Sequence, residues 1–202
     1  RTGPLIRCSV ITLGPARSVL LLSMHHIVSD GWSMGILARE LTALYQAFAL
    51  GQPDPLPPLE IQYADYSVWQ RDTFQGAELE DELSYWRDKL RDLPQLDLPT
   101  DNPRPDTASF EGAAHLVDLG PSLSAVLLTA FAIVMARRSG QDDLAIGAPI
   151  AGRTQPEIEG LIGFFVNSLV FRIDATGAPT FAELLERVRD TCLDAYQHQE
   201  LP

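Results

Sequence analysis

The stretch His25–Ser33, HHIVSDGWS, decides how the rest of the chain reads. It follows Ser18–Met24, SVLLLSM, an aliphatic run that suits a β-strand. Consecutive side chains on a strand face opposite ways. His25 and His26 are therefore expected in different surroundings, one on the packed side and one on an open side. Asp30 stands just before Gly31, a residue that admits φ > 0 and a sharp turn. The expectation is a carboxylate beneath the strand end, close to the imidazoles, with Ser33 as N-cap of the next helix. A general base held by its surroundings, with a fixed acid ordering the loop, fits these residue types. The N–H groups at that helix start would also favour an anionic intermediate.

Outward from this stretch, strands and helices interleave. Upstream, Leu5–Leu13 and Ser18–Met24 flank Gly14-Pro15-Ala16-Arg17 and read as an antiparallel hairpin. The run VLLLSM is apolar enough to be covered on both faces. Downstream, Ile36, Leu37, Leu41, Leu44, Tyr45 and Phe48 recur at helical spacing up to Gly51. Gln52–Pro58 is a Pro-rich connector. Two polar helices are expected over Tyr63–Phe74 and Glu78–Leu93, followed by an irregular crossing, Pro94–Asp106, with four prolines. Gly112–Leu119 reads as a strand, Val126–Arg138 as a buried helix and Leu144–Ile150 as a buried strand. Gly163–Ile173 begins as a glycine-led loop and becomes a strand. Thr180–Gln197 is an amphipathic helix with Phe181, Leu184, Leu185, Val188 and Leu193 toward the core. The fold class is α/β or α+β.

Composition narrows the function. The 202 residues carry 27 acidic against 15 basic side chains, a net charge of −12. That argues against a broad basic surface for nucleic acid or anionic membranes. No apolar run reaches the roughly 20 residues of a transmembrane helix. The two cysteines, Cys8 and Cys192, lie in apolar patterns and read as buried free thiols of a reducing cytosol. His115 and His198 lack metal-ligand spacing, and no Gly-rich phosphate loop occurs. Ser33 has no GxSxG frame and is not expected to be a nucleophile. Trp32 reads first as a core residue.

The motif HHxxxDG, here His25, His26, Asp30 and Gly31, resembles the signature of the condensation domains of non-ribosomal peptide synthetases and their chloramphenicol-acetyltransferase-like relatives. Other segments resemble the same family in order: PLIRCSVITLG before the motif, YADYSVWQ (Tyr63–Gln70), SYWRDKL (Ser84–Leu90) and LPTDNPRP (Leu98–Pro105). SGQDDLAIGAPIAGR (Ser139–Arg153), IGFFVNSLVFR (Ile162–Arg172) and the terminal HQELP continue the series. MHHIVSDGWS with YADYSVWQ and GFFVNS is most similar to the subtype joining an L-configured donor to an L-configured acceptor.

The resemblance implies two acetyltransferase-like lobes in a V with a central tunnel, only partly covered by this chain. Residues 1–93 would be part of the N-terminal lobe, 94–110 the crossing and 111–202 part of the C-terminal lobe. The family has further regions ahead of the equivalent of Arg1 and beyond Pro202. It also has a segment where SLSAVLL here runs straight on, so residues are expected to be missing near 122–126. The activity implied is peptide-bond formation between a carrier-bound donor thioester and the amine of a carrier-bound acceptor, an acyltransferase reaction of antibiotic biosynthesis.

By resemblance His26 is the catalytic position, His25 and Gly31 support the motif, and Asp30 is ion-paired, with Arg153 as candidate partner and Arg172 as alternative. Trp32, Ser33, Asn167 and Ser168 are candidates to line the tunnel. No metal and no cofactor of the domain's own is implied; the phosphopantetheine arms of the carriers are substrates. Expected partners are donor and acceptor peptidyl carrier protein domains and an adjacent adenylation domain, with no nucleic acid and no membrane, in the cytoplasm. Other readings are a stand-alone acyltransferase using acyl-CoA and an inactive docking platform.

Overall fold

The structure, a computed structural model, describes residues 3–103, 105–107, 112–113 and 124–201. Helices and strands are interleaved along the chain. In order they are β1 (Ile6–Gly14), β2 (Arg17–Met24), a single 3-10 turn (His26–Val28), α1 (Gly31–Ala49), α2 (Tyr63–Thr73) and α3 (Gly76–Lys89). There follow α4 (Ser124–Ser139), β3 (Asp143–Ile150), the four-residue α5 (Pro156–Glu159), β4 (Asn167–Asp174) and α6 (Phe181–Gln197). Residues 114–119 of the expected strand at 112–119, His115 among them, and 122–123 of the suspected break near 122–126 lie outside the described residues.

The chain forms two compact units. The first holds 1–78 and 149–167, and the second holds 79–148 and 168–201. In the first, β1 and β2 form the expected antiparallel hairpin, with Ile6 opposite Met24, Thr12 opposite Ser18 and an irregularity between Thr12 and Gly14. Leucine, isoleucine and valine on both its faces are open to solvent, Val10 being 66% and Leu21 54% exposed. This corrects the reading of β2 as covered on both faces, and Cys8 is exposed rather than buried. An aliphatic pattern states what a strand needs to bury; it does not supply the cover. The buried apolar cluster of this unit is instead Tyr66, Ile158, Leu161 and Phe165, with Ile61 and Tyr63 against it. Along α1, Ile36 and Ala47 are buried, but Tyr45 and Phe48 of the helical stripe are exposed.

The second unit packs α4 against α6. Its core is Ala132, Leu144, Ile173, Leu184 and Val188, with Leu128, Met135 and Cys192 partly buried beside it. Thr180 caps α6 in a reciprocal pair with Glu183: Glu183 N–H donates to Thr180 Oγ1 at 3.3 Å, and Thr180 N–H donates to Glu183 Oε2 at 2.7 Å. Leu184 and Val188 lie on the buried side, whereas Phe181 and Leu193 are about half exposed. The helix α4 is likewise one-sided rather than buried: Thr129 and Ala132 are enclosed, while Phe131 and Val134 are about half exposed. A helix apolar all round still buries only the face that has a neighbour.

Candidate functional site

The strand β2 stops one residue before the paired histidines, so the expected alternation does not reach them. His25 is extended and caps the 3-10 turn, its Nδ1 accepting the Ile27 N–H at 3.1 Å. Its own N–H donates to Leu5 O at 2.8 Å, which ties the turn to the start of β1. That bond engages Nδ1 of His25. His26 is the first residue of the turn. Both imidazoles are exposed, which corrects the expectation of one packed and one open. Among the described residues no hydrogen bond engages either ring nitrogen of His26; its ring meets Phe164 edge-on, 5.3 Å between centroids at 86°.

Asp30 is buried, 2% exposed. It is the N-cap of α1, where its Oδ1 accepts the Ser33 N–H at 2.8 Å. Ser33 is therefore the third helical residue and not the cap. An anion already occupies this helix start, which removes the ground for placing an anionic intermediate there. Asp30 Oδ2 accepts the Phe165 N–H at 3.0 Å, and Arg153 Nη2 approaches Oδ1 at 3.3 Å. Burial by itself pushes the Asp30 carboxyl up. The Ser33 and Phe165 N–H groups, the Ser33 side chain and the Arg153 guanidinium outweigh it and hold the group below its ordinary 3.8. No hydrogen bond joins Asp30 to an imidazole among the described residues. The carboxylate expected beside the histidines is turned into the structure instead.

Arg153 answers the choice between two arginines that sequence left open. Its side chain and that of Asp30 are 1% and 0% exposed. Nη1 donates to Ile158 O and Leu161 O at 2.5 and 2.9 Å, and Nη2 donates to Ser33 Oγ at 2.9 Å. The guanidinium lies over the Phe165 ring, 4.1 Å from its centroid. Arg172, the alternative, pairs with Asp143 in the second unit.

Two glycines make the close packing possible. Gly152 has φ of +63°, and a Cβ there would stand 1.9 Å from Phe165 O. A Cβ on Gly163 would stand 2.2 Å from the Tyr63 ring. Gly31, by contrast, has no left-handed φ and nothing within 4 Å of where a Cβ would lie, so the chain's own turn does not require glycine there. The helix begins at Gly31 with ordinary backbone because the Asp30 cap makes the turn.

Ser33 is fully buried, donating to Gly163 O at 2.9 Å and accepting from Gly163 N–H at 3.1 Å. Trp32 is half exposed rather than core, its indole N–H donating to Glu159 O at 3.0 Å. It borders an open groove of about 570 Å³ with Ile36, Arg39 and Pro156. Asn167 and Ser168 are the first two residues of β4, half-buried and exposed respectively. Thus His26, Asp30, Ser33 and Arg153 gather in one unit with Tyr63, Phe164 and Phe165. The last three lie in two segments that resemble the family, but sequence alone assigned them no role at the site. Among the described residues no group of three or more His, Cys, Asp or Glu could hold a metal ion, and no helix is long and apolar enough to cross a membrane.

A model of the condensation domain matches residues 1–202. One component of the linear gramicidin synthase of Brevibacillus parabrevis is 48% identical over 218 residues, covering 100% of this chain and 3% of that protein. That alignment is longer than 202 residues, so the relative carries positions that this chain lacks. Malpinin synthetase of Mortierella alpina is 50% identical over 216 residues, covering 99% and 3%. Among solved structures, the complex of the X-domain and OxyB from teicoplanin biosynthesis matches with a TM-score of 0.86 and 28% identity, over 98% of this chain and 48% of that one. The chain thus spans about half of that solved domain and a few hundredths of the synthetases it resembles. Matched along its length by the family model, with the paired histidines and the Asp30–Arg153 ion pair in one unit, the chain belongs to the condensation-domain family.

Proposed function

We propose that this chain supplies the catalytic motif of a peptide-bond-forming domain in a non-ribosomal peptide synthetase. The observation that carries the reading is the exposed His26 imidazole, neither nitrogen engaged among the described residues, next to an acid already committed to Arg153. The acceptor amine attacks the donor thioester carbonyl; a C–N bond forms and the C–S bond breaks. His26 orients the amine, or takes the proton that the nitrogen must lose, and the departing sulfur receives a proton in turn. An imidazole N–H could serve the oxyanion equally well. Asp30, buried and paired, holds the loop and does not exchange protons.

The rest of the reading follows family membership. Donor and acceptor arrive on phosphopantetheine arms of two peptidyl carrier protein domains, with an adenylation domain adjacent, in the cytoplasm. The domain holds no cofactor of its own. Trp32 and Asn167 are the residues proposed to line the substrate path; Ser33, fully buried, does not reach it. The L-donor, L-acceptor subtype rests on the resemblance of MHHIVSDGWS, YADYSVWQ and GFFVNS to that subtype, and we place the positions absent relative to the gramicidin synthase near 122–126.

The test uses the full-length protein that carries this chain, with loaded donor and acceptor carriers. Intact-protein mass spectrometry follows aminoacyl transfer by wild type and His26→Ala. Transfer by wild type that falls at least about a hundredfold in the folded variant supports the reading. Equal transfer by both reduces His26 to a structural residue. Transfer by neither, with carriers loaded and the fold intact, favours the docking platform.

A further inference from the structure

A general base is normally oriented by a partner on its second nitrogen, usually a carboxylate or a backbone carbonyl. His26 has no such partner among the described residues, and the nearby carboxylate that sequence offered is spent on Arg153. What the ring does meet is Phe164, edge-on at 5.3 Å. Phe164 is itself 38% exposed, so its side chain does little for the core.

Its backbone, however, is pinned on every side. Gly163 before it exchanges two hydrogen bonds with the buried Ser33 hydroxyl. The Phe164 carbonyl accepts the Tyr63 O–H at 2.9 Å. Phe165 after it donates its N–H to Asp30 and lies under Arg153. Burial, then the Asp30 charge, push the Tyr63 phenol above its ordinary 10.0, so it remains a neutral donor to that carbonyl. The ion pair, the serine and the tyrosine thus converge on one half-exposed aromatic ring, and that ring faces the histidine.

We propose that Phe164 is the positioning residue of His26: its clamped ring sets the orientation of the imidazole through an edge-to-face contact and leaves both nitrogens free for substrate. The inference rests on the reading of His26 as the acting group. It gives Asp30, Arg153, Ser33 and Tyr63 a shared purpose, exerted through Phe164 rather than by proton transfer. An aromatic pair of this geometry favours one ring orientation by about a factor of ten, and reactive alignment converts such a preference into rate.

The test compares wild type, Phe164→Leu, Phe164→Tyr and His26→Ala in the full-length protein with loaded carriers. Two readouts are taken: kcat and KM for transfer, and the NMR signals of the His26 ring carbons and their protons. The Phe164→Leu variant keeps apolar bulk but has no ring. It should lose about tenfold in kcat with KM changed less than about twofold, and the ring-current displacement of the His26 protons should vanish. The Phe164→Tyr variant should retain both the displacement and most of the rate. Unchanged His26 signals in Phe164→Leu overturn the contact. Unchanged kcat in Phe164→Leu, in a protein that His26→Ala disables, overturns the positioning role while the His26 reading stands. Normal transfer by His26→Ala defeats that reading, and the inference with it.

Discussion

Among the described residues two arginine–aspartate pairs join partners far apart in sequence, one in each compact unit, and they differ in almost everything but composition. Arg172 meets Asp143 side by side, Nε to Oδ1 at 2.9 Å and Nη2 to Oδ2 at 2.6 Å. Its remaining amino group donates to Lys89 O and Arg91 O at 3.0 and 2.7 Å. Water still reaches the pair, whose side chains are 23% and 35% exposed. Arg153 and Asp30 have the poorer mutual geometry, at 3.3 Å, yet are sealed from solvent and joined to four further backbone groups. Good hydrogen-bond geometry at a surface contributes little, because either partner can be solvated when the other leaves. A sealed pair makes each charge depend on the other. The less well-aligned bridge is therefore the one the fold cannot lose.

The largest expected effect breaks that dependence. The Arg153→Met variant leaves Asp30 charged and uncompensated in the interior, and should lose about 3–5 kcal/mol of stability in denaturant unfolding. A loss below about 1 kcal/mol would mean that the backbone donors alone hold Asp30, and the contrast between the pairs would collapse. Next is Gly163→Ala, whose Cβ would collide with the Tyr63 ring at 2.2 Å. A loss of about 1–3 kcal/mol is expected, recovered in part by shortening Tyr63. Wild-type stability would show that the Phe164 segment can shift without strain.

Acidification should act on the first pair in a gentler way. Asp30 is held below its ordinary value when folded, so its contribution is complete above the unfolded value of about 3.9 and fades as pH falls through the folded value. Unfolding measured from about pH 6 to pH 2 should show Asp30→Asn with a shallower acid slope than wild type; equal slopes would shift the acid sensitivity to other carboxylates. Smaller still, Arg172→Met should cost about 1 kcal/mol or less. A larger loss would give the second pair a weight its exposure does not suggest. The smallest effect is expected at Gly31→Ala. Stability should stay level or rise by up to about 1 kcal/mol, since alanine is the better helix residue and nothing stands in its way. Lost transfer activity in that stable variant would place substrate, not the turn, against Gly31.

Much of this was legible along the chain. The limits of α2 and α6 and the hairpin follow from periodicity and from turn residues between apolar runs. Burial was read less well. β2, Phe48, Phe131, Phe181, Leu193 and Cys8 look like core residues and are open, because an apolar side chain signals a need for cover that only other segments can meet. At the site, HHxxxDG pointed to residues that the fold gathers in one unit but misled on their arrangement. The histidines sit beyond the strand end, and Asp30 turns inward to cap α1.

Residue identity at short spacing was enough for the hairpin, the long helices, the family and the motif. That Asp30 takes Arg153 across 123 positions, and that Phe164 rather than a carboxylate faces His26, emerged with the packing. Those choices turn on which distant groups can be desolvated together. Either arginine had the right charge for Asp30, and only the one enclosed with it becomes indispensable.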